Sequence, residues 1–546
     1  MPGHTEIPDQ RFLSALQRAE CYPHPVQDIR TLETHISWVF LTGPYAYKIK
    51  KAVKLAFLDF STLDARRRYC EEELRLNRRL APDIYLEVVA VRGTPDRPRI
   101  GGDGAVLDYA VKMRQFSQDA LASRVLARGD LTAKRLMDLA DRIAAFHTAA
   151  PRDPPGECGT PESVSRSALQ NFDEIAALLT EARDRNVLAA LRRWTGKEDG
   201  AMRSVFARRR MQGMVREGHG DLHLGNIVLV GDALIPFDCI EFSDALRWND
   251  VMSEVAFLVM DLMDRGAAEL AYLFLNAYLE RTGDYEGLGV LRFYLVYRAM
   301  VRAKIHLIRA HQRGGDNTEH ARLVAAYRTY IALARHCARR EKPVLLLMHG
   351  LSGSGKSTIA TQLMQLLGAI RVRSDVERKR LRGLAAHERS ASPVGGGLYT
   401  ADASRATYER LAAIARSAID AGYRVLVDAA FLQRWQRARM TQLAEELGIP
   451  LLLLQVQAAD ASLRRRVLQR STEGPNASEA DLQVLDHQLA HQEPLSVSEL
   501  QQTITLDGER TLGLEECTRI ARAAGAPLKE ARARFRRLRC ASRATP

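Results

Sequence analysis

The sequence predicts two unlike domains in one chain, an α+β domain followed by an α/β domain with a parallel sheet. Three observations predict this. Strand-like runs crowd residues from about 30 to 115 around one charged helix. Apolar stripes of helical period fill about 131 to 340. Beyond about 341, short apolar strands alternate with helices around a glycine-rich loop.

Taken in order, His35 to Leu41, Tyr45 to Lys51, Ile84 to Val91 and Val106 to Gln115 read as strands rich in apolar, β-branched and aromatic residues. Thr42-Gly43-Pro44 between the first two is a hairpin turn. Asp64 to Leu80 is the charged helix. Leu136, Leu139, Ile143 and Phe146 share one helical stripe, and Val255 to Met263 and Leu291 to Leu307 form others. Ala149 to Pro161, rich in Pro and Gly, reads as a surface loop, and charged Arg335 to Pro343 reads as the junction between domains. Val344 to Met348, Arg424 to Val427 and Leu451 to Val456 are the strands of the second domain, with Gly395-Gly396-Gly397 a flexible loop beside it.

At 546 residues two or three domains are expected, each able to bury a core. The 46% hydrophobic and 27% charged content is that of a soluble globular protein. No apolar run approaches the roughly 18 residues of a membrane helix, and the first residues do not resemble a signal peptide. Seven scattered cysteines without a C-x-x-C pair predict a reducing, cytoplasmic setting and no zinc cluster. The net charge of +13 is concentrated partly in Arg208-Arg209-Arg210 and partly in a basic tail from about 516 to 546. It suits nucleic acid or polyphosphate ligands equally, and no nucleic-acid motif or aromatic-interleaved basic stripe accompanies it, so the bland reading is a solvated surface.

The strongest motif is Gly350-Leu351-Ser352-Gly353-Ser354-Gly355-Lys356-Ser357, followed by Thr358, which fits the phosphate-loop pattern G-x-x-x-x-G-K-[ST] between a strand and a helix. Glycines let successive N–H groups turn inward around phosphate oxygens at a helix N-terminus. Lys356 would reach the β- and γ-phosphates, and the Ser357 hydroxyl would hold Mg²⁺. Asp428, ending Val425-Leu426-Val427, is suited to polarising that Mg²⁺ through water. The motif predicts a nucleoside triphosphate, ATP, as cofactor. Asp375 and Arg378, after a short strand, resemble the acceptor-side residues of gluconate-kinase and zeta-toxin-like P-loop kinases. That resemblance implies that Asp375 orients or deprotonates the acceptor and Arg378 binds it. The alternative for Asp375 is an N-cap of the following helix. Leu463 to Arg470 resembles a lid helix, with Arg466 and Arg470 on one face as candidates to neutralise the transferring phosphoryl group, or else as a plain solvated face.

A second motif lies in the first half. His219-Gly220-Asp221-Leu222-His223-Leu224-Gly225-Asn226, with Asp238 further on, has the spacing of a kinase catalytic loop and its metal-binding Asp. A small β-rich lobe followed by a larger helical lobe is also the kinase-like order. The H-G-D-L-H-x-x-N form resembles the aminoglycoside phosphotransferase family, which includes choline-kinase-like enzymes. The resemblance implies Asp221 as catalytic base, Asn226 and Asp238 as Mg²⁺ ligands, and Asp250 as the acid bracing the loop. It makes Ala144-Ala145-Phe146-His147 similar to a helix end of that family. A kinase-like lobe needs a strand Lys on the phosphates paired with a helix Glu. Lys48 and Glu73 fit best, with Lys50 and Glu72 as competitors.

Together the halves resemble the bifunctional aminoglycoside-phosphotransferase-like/ATP-binding architecture, from about Asp28 to about Asp507. The implied fold is an α+β kinase-like (aminoglycoside phosphotransferase-type) domain over 1–340, then an α/β P-loop NTPase domain over 341–515. The implied function is an ATP- and Mg²⁺-dependent phosphotransferase acting on small hydroxyl-bearing molecules. Two rivals stay open: one half is an ATP-binding regulator, or the chain is a nucleic-acid-associated ATPase.

Overall fold

The computed structural model describes every residue except 1–9, 56–57, 313–316, 387, 389–399, 473–479 and 544–546. The triglycine at 395–397 lies outside the described residues. The chain forms two compact units, one from 1–131, 145–167 and 203–258, the other from 132–144, 168–202 and 259–546.

The first unit carries a six-stranded antiparallel sheet in the order Arg30–Glu33, Ser37–Leu41, Tyr45–Lys50, Val106–Arg114, Tyr85–Thr94 and Arg97–Ile100. Gly43, at φ 97°, turns the chain between the second and third of these, and the Thr42 N–H closes the turn on the Tyr45 carbonyl. The helix Leu63–Asn77 starts at an N-cap, Thr62, whose side chain accepts from the Ala65 N–H, and buries Cys70, Glu73 and Leu76. Behind the sheet come the turn Leu224–Asn226 and a short hairpin, Ile227–Val230 with Ala233–Pro236. The sheet and its helix make up the β-rich region that the sequence places first.

The second unit holds a five-stranded parallel sheet in the order Ile370–Arg373, Val425–Asp428, Leu345–His349, Leu451–Gln457 and Thr503–Asp507. Leu345, Leu346, Leu347 and Met348 on the central strand are all fully buried, as a strand covered on both faces requires. The helix Lys356–Leu367 packs Ile359, Leu363 and Leu366 against this sheet, together with Cys517 and Ile520 from Leu514–Ala523. The helices Ala268–Thr282, Leu288–Gln312 and Asn317–Cys337 belong to the same unit. Asn317–Cys337 runs on through Arg335, into the segment the sequence marks as a junction, because Tyr330, Ala334 and Cys337 keep one face buried.

The basic segment near the end is helical over Leu528–Arg543. Arg537 lies 2.9 Å from both carboxylate oxygens of Glu269, and the Arg534 guanidinium lies over the Tyr272 ring. None of the described helices is long and apolar enough to cross a membrane.

Truncating a fully buried residue removes both transfer energy and packing. Leu346→Ala should therefore cost about 2–5 kcal/mol. Urea unfolding followed by tryptophan fluorescence checks this, since Trp435 is in the same unit; an unchanged midpoint contradicts the packing described.

Candidate active sites

In the first unit, the two-residue period of a strand puts Lys48 and Lys50 on one face. They are not equivalent. Lys48 Nζ donates to Glu73 Oε1 at 2.7 Å and to Asp238 Oδ1 at 2.6 Å. Lys50 Nζ donates to Glu73 Oε2 at 2.7 Å and to Glu241, and is completely buried. Lys48 is thus the lysine that meets Asp238, and Lys50 lies behind it. Glu73 takes both ammonium groups, whereas Glu72 turns to Arg75 at 2.7 Å. Burial works against the charge on Lys48, but Asp238, Glu73 and Glu241 hold its ammonium well above the usual lysine range.

The loop at 219–226 is held mainly by its own side chains. Asn226 Nδ2 donates to Asp221 Oδ2 at 2.9 Å and to the Asp221 carbonyl at 3.1 Å. His223 Nδ1 accepts from the Gly225 N–H at 2.9 Å, which leaves its Nε2 facing Asp221 Oδ2 at 3.4 Å. His219 Nε2 donates to the Phe237 carbonyl at 2.9 Å, and burial lowers its pKa. Asp238 adopts φ 64°, a left-handed conformation rare for a residue with a side chain. Its N–H donates to Tyr85 Oη at 3.1 Å, and the next N–H donates to Asn77 Oδ1 at 2.9 Å. These bonds hold the left-handed backbone at Asp238, whose carboxylate meets Lys48.

The acid bracing this loop is Glu254, not Asp250. Glu254 Oε1 accepts from the Gly220 N–H at 2.6 Å and Oε2 meets His147 Nε2 at 3.0 Å. A Cβ at Gly218 would lie 2.2 Å from Glu254 Oε1, so glycine is needed there. Asp250 instead accepts two bonds from Arg209, at 2.7 and 2.9 Å, and caps the Met252 N–H. The sequence does carry a signal for Glu254: it is the one acid in the first turn of the helix Val251–Asp264, whose other acids, Asp261 and Asp264, lie at the far end.

In the second unit, Gly350 (φ 144°) and Gly353 (φ 82°) would drive a Cβ to 2.4 Å from the Val456 carbonyl oxygen and 2.7 Å from that of Leu463. Glycine is obligatory at both places. Gly355 is the left-handed N-cap of the helix that begins at Lys356. Lys356 Nζ reaches the Leu351 carbonyl at 2.6 Å, spanning the loop. Ser357 Oγ donates to Asp428 Oδ1 at 3.2 Å, while Asp428 Oδ2 is buried without a hydrogen bond. Ser354 Oγ is likewise buried and unpartnered. A hydroxyl beside a carboxylate with one orphaned oxygen fits Mg²⁺, which takes one or two protein oxygens and completes its shell with water and phosphate. Asn226 and Asp238 offer the same kind of donors in the first unit. Among the described residues no cluster of three or more His, Cys, Asp or Glu is arranged for a metal.

Lys356, Ser357, Thr358 and Asp428 open into a cavity of about 1150 Å³ whose other wall carries Asp375, Arg378 and Trp435. Asp375 is the second residue of the helix Ser374–Arg380, whose N-cap is Arg373, so Asp375 is not the cap. Its carboxylate lies 3.2 Å from Arg378. Of the three adjacent arginines on the helix Asp460–Thr472, Arg466 turns to the loop and donates to the Gly353 carbonyl at 3.2 Å. Arg464 pairs with Asp460 and Asp486. The side chain of Arg470 lies outside the described residues. Sequence reasoning missed Glu241, the arginines Arg371 and Arg373 in the cavity wall, and Gln488, whose Oε1 accepts from the Ser352 N–H at 2.8 Å.

A family model described as an AAA domain matches residues 345–495. The uncharacterized protein Rv2004c of Mycobacterium tuberculosis (strain ATCC 25618 / H37Rv) is 30% identical over 464 residues, covering 83% of this chain and 89% of its own. A choline/ethanolamine kinase family protein from Mesorhizobium loti is similar at 14% identity, TM-score 0.34, over 57% of this chain and 93% of its own. A gluconokinase from Sinorhizobium meliloti 1021 is similar at 20% identity, TM-score 0.23, over 36% and 95%.

Burial opposes the charge on Glu254, yet the hydrogen bonds from His147 and Gly220, with the field of His219, hold its pKa down to about 2. Its pKa in the unfolded chain is about 4.3. A depressed carboxyl stabilises the fold above the unfolded value and loses that contribution as pH falls toward the folded one. The stability gap between wild type and Glu254→Gln should therefore shrink as pH falls from 5 to 3. Thermal unfolding across that range checks it; a gap independent of pH contradicts the ion-paired Glu254.

Proposed function

The chain belongs to the same family as the mycobacterial protein Rv2004c, and from its two sites we propose that it is an ATP- and Mg²⁺-dependent phosphotransferase with two catalytic domains, each phosphorylating a small hydroxyl-bearing molecule. One observation carries the reading. The phosphate loop and the Asp375–Arg378 pair face one cavity of about 1150 Å³, large enough for a triphosphate end and a small acceptor together.

In that cavity the loop N–H groups and Lys356 bind the phosphates, Arg466 approaches from the lid helix, and Asp375 holds the acceptor hydroxyl and takes its proton. In the first unit Asp221 takes the acceptor proton at its carboxylate, while Lys48, fixed by Glu73, orients the phosphates. Ser357 and Asp428 in one site, and Asn226 and Asp238 in the other, would hold Mg²⁺, which when bound neutralises phosphate charge. Catalysis of this kind is positioning and electrostatics, so rigid side chains carry it. The network of short bonds around Asp221, Asn226 and Asp238 supports a catalytic rather than a purely regulatory first unit.

The test is ADP release with Mg²⁺ and a desalted metabolite pool. Loss of Asp221 as general base should cost roughly 10²- to 10⁴-fold at its own site. Asp221→Ala and Lys356→Ala should each remove a different part of the turnover, and the double mutant all of it. One mutation removing everything and the other nothing would overturn the two-site reading.

A further inference from the structure

The phosphate-loop cavity depends on a residue far upstream of the loop. The helix Ala268–Thr282 lies in the same unit as the parallel sheet and covers its edge strand, Ile370–Arg373. Asn276 Oδ1 accepts from the Arg371 N–H at 2.6 Å, and its Nδ2 donates to the Ala369 carbonyl at 3.0 Å. Edge-strand polar groups that would otherwise be open are thereby paired by this helix. One turn on, Glu280 Oε1 accepts from Arg373 Nη1 at 2.7 Å and Oε2 accepts from Arg371 Nη2 at 3.1 Å. Both arginines line the cavity.

Two features mark Glu280 as more than a surface acid. It sits in the last turn of its helix, where the dipole disfavours a carboxylate, so its place is set by the arginines it holds. And Arg373 has a second acid within reach: its Nε lies 3.8 Å from Asp428 Oδ2, the buried oxygen without a hydrogen bond. Glu280 and Asp428 compete for one guanidinium.

We propose that Glu280 is a positioning residue for the phosphate-loop site: by holding Arg373 it keeps that guanidinium off Asp428 and leaves the Asp428 carboxylate open to the divalent cation. This rests on the phosphotransferase reading of the same cavity. With Glu280 neutral, Arg373 closes on Asp428 and metal affinity falls. With Arg373 gone as well, Asp428 is open again.

The experiment uses the full chain with Mn²⁺ as probe and AMP-PNP as nucleotide, reading Mn²⁺ affinity by electron paramagnetic resonance. Asp238→Ala, which removes a metal donor of the first site, is the background in every sample, so that Mn²⁺ is read at the phosphate-loop site. Removing a residue that supports a metal ligand typically costs 10- to 100-fold in affinity. Glu280→Gln should lose Mn²⁺ affinity in that range, Glu280→Asp less, and Glu280→Gln with Arg373→Met should regain it. An unchanged Mn²⁺ affinity in Glu280→Gln, or a loss that Arg373→Met fails to reverse, overturns the inference. If Glu280→Gln fails to fold, Arg373→Met alone decides: its Mn²⁺ affinity must equal or exceed that of the background, and a fall overturns the inference. ADP release by Lys356→Ala in the same background keeps the two ideas apart. Turnover lost there with Mn²⁺ affinity insensitive to Glu280 sinks the positioning role alone; turnover retained there sinks the phosphotransferase reading of the cavity.

Discussion

Glu73 lies between the ammonium groups of Lys48 and Lys50 with none of its side chain in water. A buried charge is tolerated only when opposite charge and hydrogen bonds replace the water it loses. Much of the rest follows from that constraint. Lys48 stays cationic where it meets Asp238 because Glu73 is fixed behind it, and Glu73 stays ionised because Lys50 is there too. Around His147, Glu254 plays the same part under the loop that carries Asp221. Removing one member of such a set strands the others, so each set stands or falls as a unit.

On the proposed reading the two units hold phosphate by different means. In the second, neutral backbone does it. Gly350, Gly353 and Gly355 all take positive φ and bring the chain so close to its neighbours that a Cβ would collide or press against them. Side-chain charge is then needed at few points, Lys356 and Arg466 among them. Among the described residues of the first unit, Gly101, Gly102 and Gly104 lie between two strands and do not lead into a helix. Its charges come from three separate segments, the strand Tyr45–Lys50, the helix Leu63–Asn77 and the stretch around Asp238, and only the fold brings them together.

That difference decided what could be read from the sequence. The phosphate loop is local: strand, glycines, Lys and helix are contiguous, so loop and sheet were both legible. The Asp221–Asn226 spacing was legible for the same reason. Choosing Lys48 over Lys50 was a matter of two strand positions on one face, and the reason for the choice lies in Asp238, far away in the chain. The brace was misplaced by four residues, on Asp250 instead of Glu254, because both acids sit where one helix begins and only the approach of Gly220 separates them. Arg371 and Arg373 carried no pattern at all. Their meaning comes from Glu280, on a helix the sequence assigns to the other half.

On the proposed reading one chain holds two nucleotides. Titration calorimetry of the full chain with AMP-PNP and Mg²⁺ counts them directly. The account requires two sites per chain, one lost in Lys356→Ala and the other weakened when Lys48 is replaced by Ala. A single site, removed entirely by Lys356→Ala, would contradict it.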